Sequence, residues 1–219
     1  MDRRRRIGEA DSVPRQTCPD PAPMPDTAPR PHTTTRPDPP APARHGNASL
    51  IRPLIDADAP ALIDLIDRCW QAYPGCILDV DGELPELRAY ASHVTARGGN
   101  AWVAVDTAGP ATPASILAMA ATMPAAAEPP LTFEVHKLYV SPDARRMGHA
   151  AAMIDRIIAT ARAAGAAHLT LWTDTRFTQA HAFYEARDFI RAPGTRALDD
   201  ISRSVEYRYD LPLSPAGQS

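Results

Sequence analysis

Lysine is almost missing from this 219-residue chain: Lys137 is the only one among 23 basic residues. A Walker phosphate loop needs G-x-x-x-x-G-K-[ST], and Lys137 stands instead on a predicted strand. G-x-G-x-x-G is absent as well, so a dinucleotide-binding turn is unsupported. Cysteine is scarce too. Cys18, Cys69 and Cys76 give neither a paired framework nor metal-ligand spacing, and Cys69 reads as a small core residue on a helix face. That usage fits a reducing cytoplasm. No run of about 18 apolar residues occurs, which excludes a helical membrane span. Arg3 to Arg6 lead into GEADSVPRQT, which is not apolar, so a secretory signal is not expected.

Large apolar residues are nearly absent from residues 1–48, where eleven of the 24 prolines fall. Such a segment buries too little surface to offset its ordering entropy, and the composition predicts a disordered Pro/Arg-rich tail. It carries eight arginines against six acids, a charge of +2, which leaves −5 on the rest. A mildly acidic remainder argues against a nucleic-acid footprint and fits a cationic or small polar ligand. The tail reads as a flexible or misassigned N-terminus rather than a nucleic-acid arm.

The most informative stretch is residues 135–152, VHKLYVSPDARRMGHAAA. Val135, Leu138, Tyr139 and Val140 favour a strand, Ser141-Pro142-Asp143 a compact loop, and the residues after it an apolar-striped helix. A strand that feeds a loop and then a helix start turns several unpaired backbone N–H groups toward one point. The helix dipole adds roughly half a positive charge there. Gly148 and Ala150 let an anion come close to the backbone, while Arg145 and Arg146 can fork onto its oxygens. This is a pyrophosphate cradle.

A second block lies downstream. Residues 168–172 (HLTLW) predict a strand, and 178–187 (TQAHAFYEAR) a short helix with Ala180, Phe183 and Tyr184 on one face. Together the blocks resemble the GNAT superfamily of acyl-CoA-dependent N-acetyltransferases. The R-x-x-G-x-A loop after L-Y-V-S-P is similar to that family's coenzyme A pyrophosphate loop. A-x-x-F-Y-E followed by Phe189 is similar to the motif whose tyrosine lies beside the coenzyme A sulfur. Two departures are visible. Phe177 stands where many members carry a cofactor-binding asparagine, and Asp188 stands where glycine usually precedes the phenylalanine. The resemblance covers about residues 49–212, with 213–219 left as a flexible end.

The remaining elements follow the same order. Residues 49–54 predict a strand, and Asp58 caps a helix carrying Leu62, Leu65, Ile66 and Cys69. A second helix runs through Leu87, Tyr90 and Val94 to Gly98-Gly99. Strands are expected at 101–105, 115–121 and 131–140. The helix after the cradle should bury Met147, Ala151, Ile154, Ile157, Ile158 and Ala161. Strands at 189–191 and 204–209 close the sheet. The expected fold is α+β: a single domain with a central mixed, mostly antiparallel twisted sheet flanked by helices.

What the resemblance implies is acetyl-CoA as co-substrate and a primary amine of a small molecule or peptide as acceptor. An alkylammonium ion must lose a proton before it attacks, which costs about 4 kcal/mol near neutral pH, so a base is needed. Glu134 and His136 lie two apart on one strand face and are the candidates, Glu134 first. By the resemblance Tyr184 is the general acid for the leaving thiolate. Leu138 and Val140 would offer backbone groups to the pantetheine arm, and the amides of Arg146, Met147, Gly148, His149 and Ala150 would hold the pyrophosphate. Tyr73, Asp79 and Asp81, with Trp70 and Glu83 beside them, are candidate acceptor contacts, an aromatic and acidic rim suited to a cation, and Asp174, Thr175, Arg176 and residues 196–204 are expected on the opposite rim. Asp79-x-Asp81-Gly82 lacks the remaining ligands of a calcium loop, and no metal is expected. No nucleic-acid or membrane partner is expected, and a homodimer stays open. The rival reading is a GNAT fold that holds acyl-CoA as a sensor or interaction module without turning it over.

Overall fold

A computed structural model describes residues 49–107, 115–125 and 131–213. The predicted disorder of residues 1–48 lies outside them, as do residues 214–219 of the expected flexible end. Leu213 is itself buried, and its N–H donates to the Ala167 carbonyl.

Eight strands form one sheet. They are β1 (Ser49–Pro53), β2 (Asn100–Asp106), β3 (Ile116–Pro124), β4 (Thr132–Val140), β5 (His168–Asp174), β6 (Ile190–Arg191), β7 (Arg196–Ala197) and β8 (Val205–Pro212). The spatial order is β1-β2-β3-β4-β5-β8-β6, with β7 also on β8. Every pairing is antiparallel except β4 with β5. The crossover between those two strands is α3 (His149–Ala163).

Alternating strand residues feed two cores. One face packs Val103, Met119 and Ala121 under α1 (Ala59–Trp70) and α2 (Tyr90–Thr95), with Leu62, Leu65, Ile66 and Val94 fully buried. The other packs Phe133, Val135, Leu169 and Tyr209 under α3 and under α4 (Thr178–Glu185). Ala104, Ala118 and Ala120 on that face are small, which lets the Met153, Ile154, Ile157 and Ala161 stripe of α3 approach closely. Ile157→Ala should leave a cavity costing about 2–5 kcal/mol, seen as a melting temperature lower by roughly 5–15 °C.

Three local expectations need correction. Met147 precedes α3 and is 42% exposed, whereas Met153 is fully buried, because the helix begins only at His149. Asp58 occupies the N-cap of α1, yet its side chain does not cap it. Both carboxylate oxygens take Arg52 at 2.7 Å, a two-pronged pair stronger than a neutral cap bond. The second helix is a 3₁₀ turn, Pro85–Ala89, followed by α2, with Leu87, Tyr90 and Val94 all buried.

The feature that positions the site lies in β4. Between His136 and Tyr139, three steps on β4 face two on β3, from Ala121 to Met119. The extra residue is a bulge, and Lys137 takes φ +52° within it. The face alternation therefore shifts by one. Phe133 and Val135 face α3, and after the bulge Leu138 and Val140 pack on that side while Tyr139 packs under α1. On its other side β4 pairs with β5 only from Thr132↔His168 to Val135↔Leu171, although β5 continues pairing with β8 as far as Asp174↔Glu206. Beyond Val135 the two strands splay, and β4 has no strand partner on its β5 side among the described residues.

Candidate active site

The cradle follows directly from the open half of β4. Ser141 begins a 3₁₀ turn, Pro142–Ala144. Arg145 is then extended, and Arg146 and Gly148 take φ +63° and +88°. Two left-handed residues so close together fold the chain back into the α3 N-terminus, with Gly148 as N-cap. The amides of Gly148, His149 and Ala150 donate to no backbone carbonyl among the described residues. A Cβ on Gly148 would meet nothing within 4 Å, so the space beside its Cα is open. Neither Arg145 nor Arg146 pairs with a carboxylate among the described residues, and Arg146 and Met147 are exposed. His149 is buried, and its Nε2 has no hydrogen-bond partner among the described residues. Amides without backbone acceptors, the exposed Arg146 guanidinium and an orphaned ring nitrogen fit a polyanionic group that brings its own acceptors, while the Arg145 side chain rests against the Cys69 thiol.

A cavity of about 330 Å³ occupies the splay. Val135, Lys137, Leu138 and Tyr139 line it from β4, and Trp172, Thr173 and Asp174 from β5. Phe177, Ala180 and Tyr184 line it from the start and body of α4. Tyr184 is buried with its ring 5.6 Å from Phe189 and 6.0 Å from Tyr209, centroid to centroid. Its hydroxyl meets no hydrogen-bond partner among the described residues, and burial pushes the phenol well above its ordinary range. Leu138 reaches the cavity wall. Val140 does not, and its carbonyl accepts the Cys69 thiol at 3.3 Å. A broader hollow of about 560 Å³ against the outer face of α3 contains one charged side chain, Arg156, and offers no chemistry.

Glu134 and His136 project together, with His136 Nε2 3.6 Å from Glu134 Oε1. Neither lines the cavity. Burial raises the Glu134 carboxyl and pushes the His136 imidazole down to about 4, where Lys137 adds to the effect, so the ring is neutral at ordinary pH. On the cavity wall itself stands Glu206, tied to Arg196 Nε at 2.7 Å, and Arg196 lies over the Trp172 ring at 3.9 Å.

The outer wall is built by two loops far apart in sequence. Cys76, Glu83 and Leu84 come from the loop after α1, and Leu198, Asp200, Ser202 and Ser204 from the loop before β8. The loops are clasped. Ile77 N–H donates to Ser202 Oγ at 2.8 Å, and Ile201 N–H to Glu83 Oε1 at 2.5 Å. Of the acceptor-rim candidates Trp70, Glu83, Asp174 and part of the 196–204 segment line the cavity, whereas Tyr73, Asp79 and Asp81 do not. Burial works against the Asp174 charge, but two hydrogen bonds from the Arg176 side chain outweigh it and hold the carboxyl low. Tyr73 lies behind the wall, its ring 4.6 Å from that of Phe177. Asp79 is absorbed in its own turn, accepting from the Asp81 and Gly82 amides, and Asp81 pairs with Arg88. Sequence reasoning passed over Lys137, Trp172 and Glu206 as site residues. The solitude of Lys137 was the one visible signal.

Comparison with known proteins adds an independent line. A family model described as Acetyltransferase (GNAT) family matches residues 61–189. A sequence search among curated proteins finds no match. Among solved structures, a GNAT-family acetyltransferase from Staphylococcus aureus Mu50 superposes with a TM-score of 0.62 at 18% identity, covering 76% of this chain and 100% of that one. The ribosomal-protein-S18-alanine N-acetyltransferase of Escherichia coli gives 0.56 at 20% identity, over 78% and 98%. The protein yncA of Salmonella typhimurium, solved with its cofactor acetyl-CoA, gives 0.57 at 15% identity, over 77% and 95%. At these identities the likeness is one of fold. The family match, by contrast, spans more than half of the sequence and contains the cradle, the splayed strands and Tyr184. This chain belongs to the GNAT acetyltransferase family.

Proposed function

We propose that this chain transfers the acetyl group of acetyl-CoA to a primary amine of a small molecule or peptide, by direct attack within a ternary complex. The observation that carries the reading is the position of Tyr184. It lines a cavity in the strand splay whose β4 wall runs straight into the cradle. Acetyl-CoA supplies the acetyl group activated as a thioester. The amides of Gly148, His149 and Ala150, with Arg145 and Arg146, hold the pyrophosphate by charge-assisted hydrogen bonds. The open edge of β4 near Leu138 and Val140 offers backbone groups to the pantetheine arm in the manner of an added strand.

The chemistry then needs two proton transfers. The neutral amine forms a bond to the carbonyl carbon as the carbon–sulfur bond breaks, and sulfur leaves with the electron pair. Tyr184 gives that sulfur its proton. Burial keeps the phenol protonated through the neutral range, and the same dry surroundings raise the proton affinity of a thiolate beside it. Glu134 takes the acceptor's proton. Because its side chain is not in the cavity wall, the proton passes through water, with neutral His136 beside it at 3.6 Å. Burial raises Glu134 toward the operating pH, which improves it as a base. Glu206 is nearer the cavity, but taking a proton would break its ion pair with Arg196.

Glu134→Gln should shift the pH-rate profile toward alkaline pH, since more of the amine must then arrive already neutral. The profile of the variant against the parent, with an accepted amine, checks this; an unchanged acid limb would remove Glu134 from the role. Initial-rate lines in the two substrates should intersect. Parallel lines would mean a covalent acetyl-enzyme and contradict the ternary complex.

A further inference from the structure

The acids around the cavity are already engaged, and its one lysine is not. Asp174 is held by Arg176, Glu206 by Arg196, Glu83 by the Ile201 amide and Asp200 by the Ser204 amide. Lys137 lines the same cavity, projected from the β4 bulge at φ +52°, and is partly buried. No carboxylate among the described residues comes within 4.0 Å of its ammonium group. Glu86 and Glu206 act on it only across longer distances. A sequestered cation without a partner is costly, and an incoming anion offsets that cost.

We infer that Lys137 is a specificity-determining residue that binds a carboxylate of the acceptor, so that the substrate is an amine carrying a carboxylate, as in a free amino acid. The inference rests on the N-acetyltransferase reading and narrows its substrate class. Charge complementarity supports it. The four wall carboxylates are each taken by a guanidinium or an amide, so the charge left for a ligand to match is the Lys137 ammonium, which a carboxylate complements. A phosphate would bring a second negative charge into an acid-lined space, whereas a carboxylate brings one. A compact ammonium point charge suits it. Burial lowers the Lys137 ammonium below its ordinary range, and a bound carboxylate would restore its preference for the charged form.

The test compares the common amino acids with their decarboxylated amines as acceptors, following thiol release from acetyl-CoA, in the full chain and in Lys137→Met and Lys137→Arg. Amino acids should be preferred over the matching amines. Lys137→Met should raise KM for the amino acid by about 10- to 100-fold, with a much smaller effect on KM for the decarboxylated amine, and be partly rescued by Lys137→Arg. Calorimetric titration of the preferred amino acid into the chain with coenzyme A present should show the same loss of affinity without relying on turnover. Decarboxylated amines accepted as well as amino acids, or a preference that survives Lys137→Met, would overturn the inference. So would turnover confined to other amines. Stabilisation by acetyl-CoA, measured on the same samples, separates the failures: if it persists, only the carboxylate assignment falls, and if the parent chain lacks it, the N-acetyltransferase reading falls too.

Discussion

Acetyl-CoA at about a hundred times its Kd is expected to raise the melting temperature of this chain by roughly 5–10 °C, and Gly148→Glu to erase that rise. The cause is local. Gly148 is the N-cap of α3 at φ +88°, and the space before its Cα is open, so a glutamate side chain enters without a clash. Its carboxylate would then sit at the helix N-terminus and occupy the place of the pyrophosphate. The left-handed backbone also penalises any Cβ by about 1–2 kcal/mol. Gly148→Ala carries the same penalty without the charge and serves as the control. Alanine should lower the baseline melting temperature yet keep much of the response to acetyl-CoA, while glutamate should lose both. Equal stabilisation of Gly148→Glu and the parent would dismiss the cradle.

The second large effect is on chemistry. Tyr184→Phe deletes one hydroxyl that has no hydrogen-bond partner among the described residues and leaves the ring contacts with Phe189 and Tyr209 in place. The fold should therefore survive, with acetyl-CoA affinity changed little. Turnover should fall by about 10²- to 10⁴-fold, the usual contribution of a positioned general acid. Steady-state kinetics with an accepted amine, beside a thermal shift with acetyl-CoA, reads both numbers. Near-normal turnover would make Tyr184 a packing residue.

The parts of this site that could be read from sequence are those made by neighbours in the chain. The cradle lies within ten residues, and its glycine, small residue and arginines act through local backbone geometry, which a linear pattern records. The same is true of the α4 segment carrying Tyr184. Two of the three local corrections have a plain physical reason. Helical spacing puts Met147 on the α3 stripe because it does not announce the left-handed Gly148 that delays the helix to His149. Asp58 has the composition of a cap, but Arg52, six residues earlier, competes for it with two hydrogen bonds.

The family resemblance brings the loop after α1 and residues 196–204 to the rim of the cleft, but the contacts that clasp them leave no trace in the sequence. The outer cavity wall depends on Ile77 meeting Ser202 across 125 residues and Glu83 meeting Ile201 across 118, contacts with no periodicity to betray them. The bulge at Lys137 was equally hidden. It arises from register against β3 and changes which side chains of β4 face α3 beyond His136. Lys137 could be noticed as solitary in the sequence, but only the fold puts it in the cavity.

Whether a GNAT fold of this kind turns over or merely holds its cofactor is decided most directly by amine-dependent release of free thiol from acetyl-CoA. The full chain is presented with a broad set of primary amines, amino acids and peptides, and the acylated product is identified by mass spectrometry. The account predicts thiol release that depends on one class of amine, in equal amount with an N-acetylated product, and strongly reduced in Tyr184→Phe. Tight binding of acetyl-CoA with no amine-dependent thiol release from any acceptor would contradict it and would leave an acyl-CoA sensor or interaction module in its place.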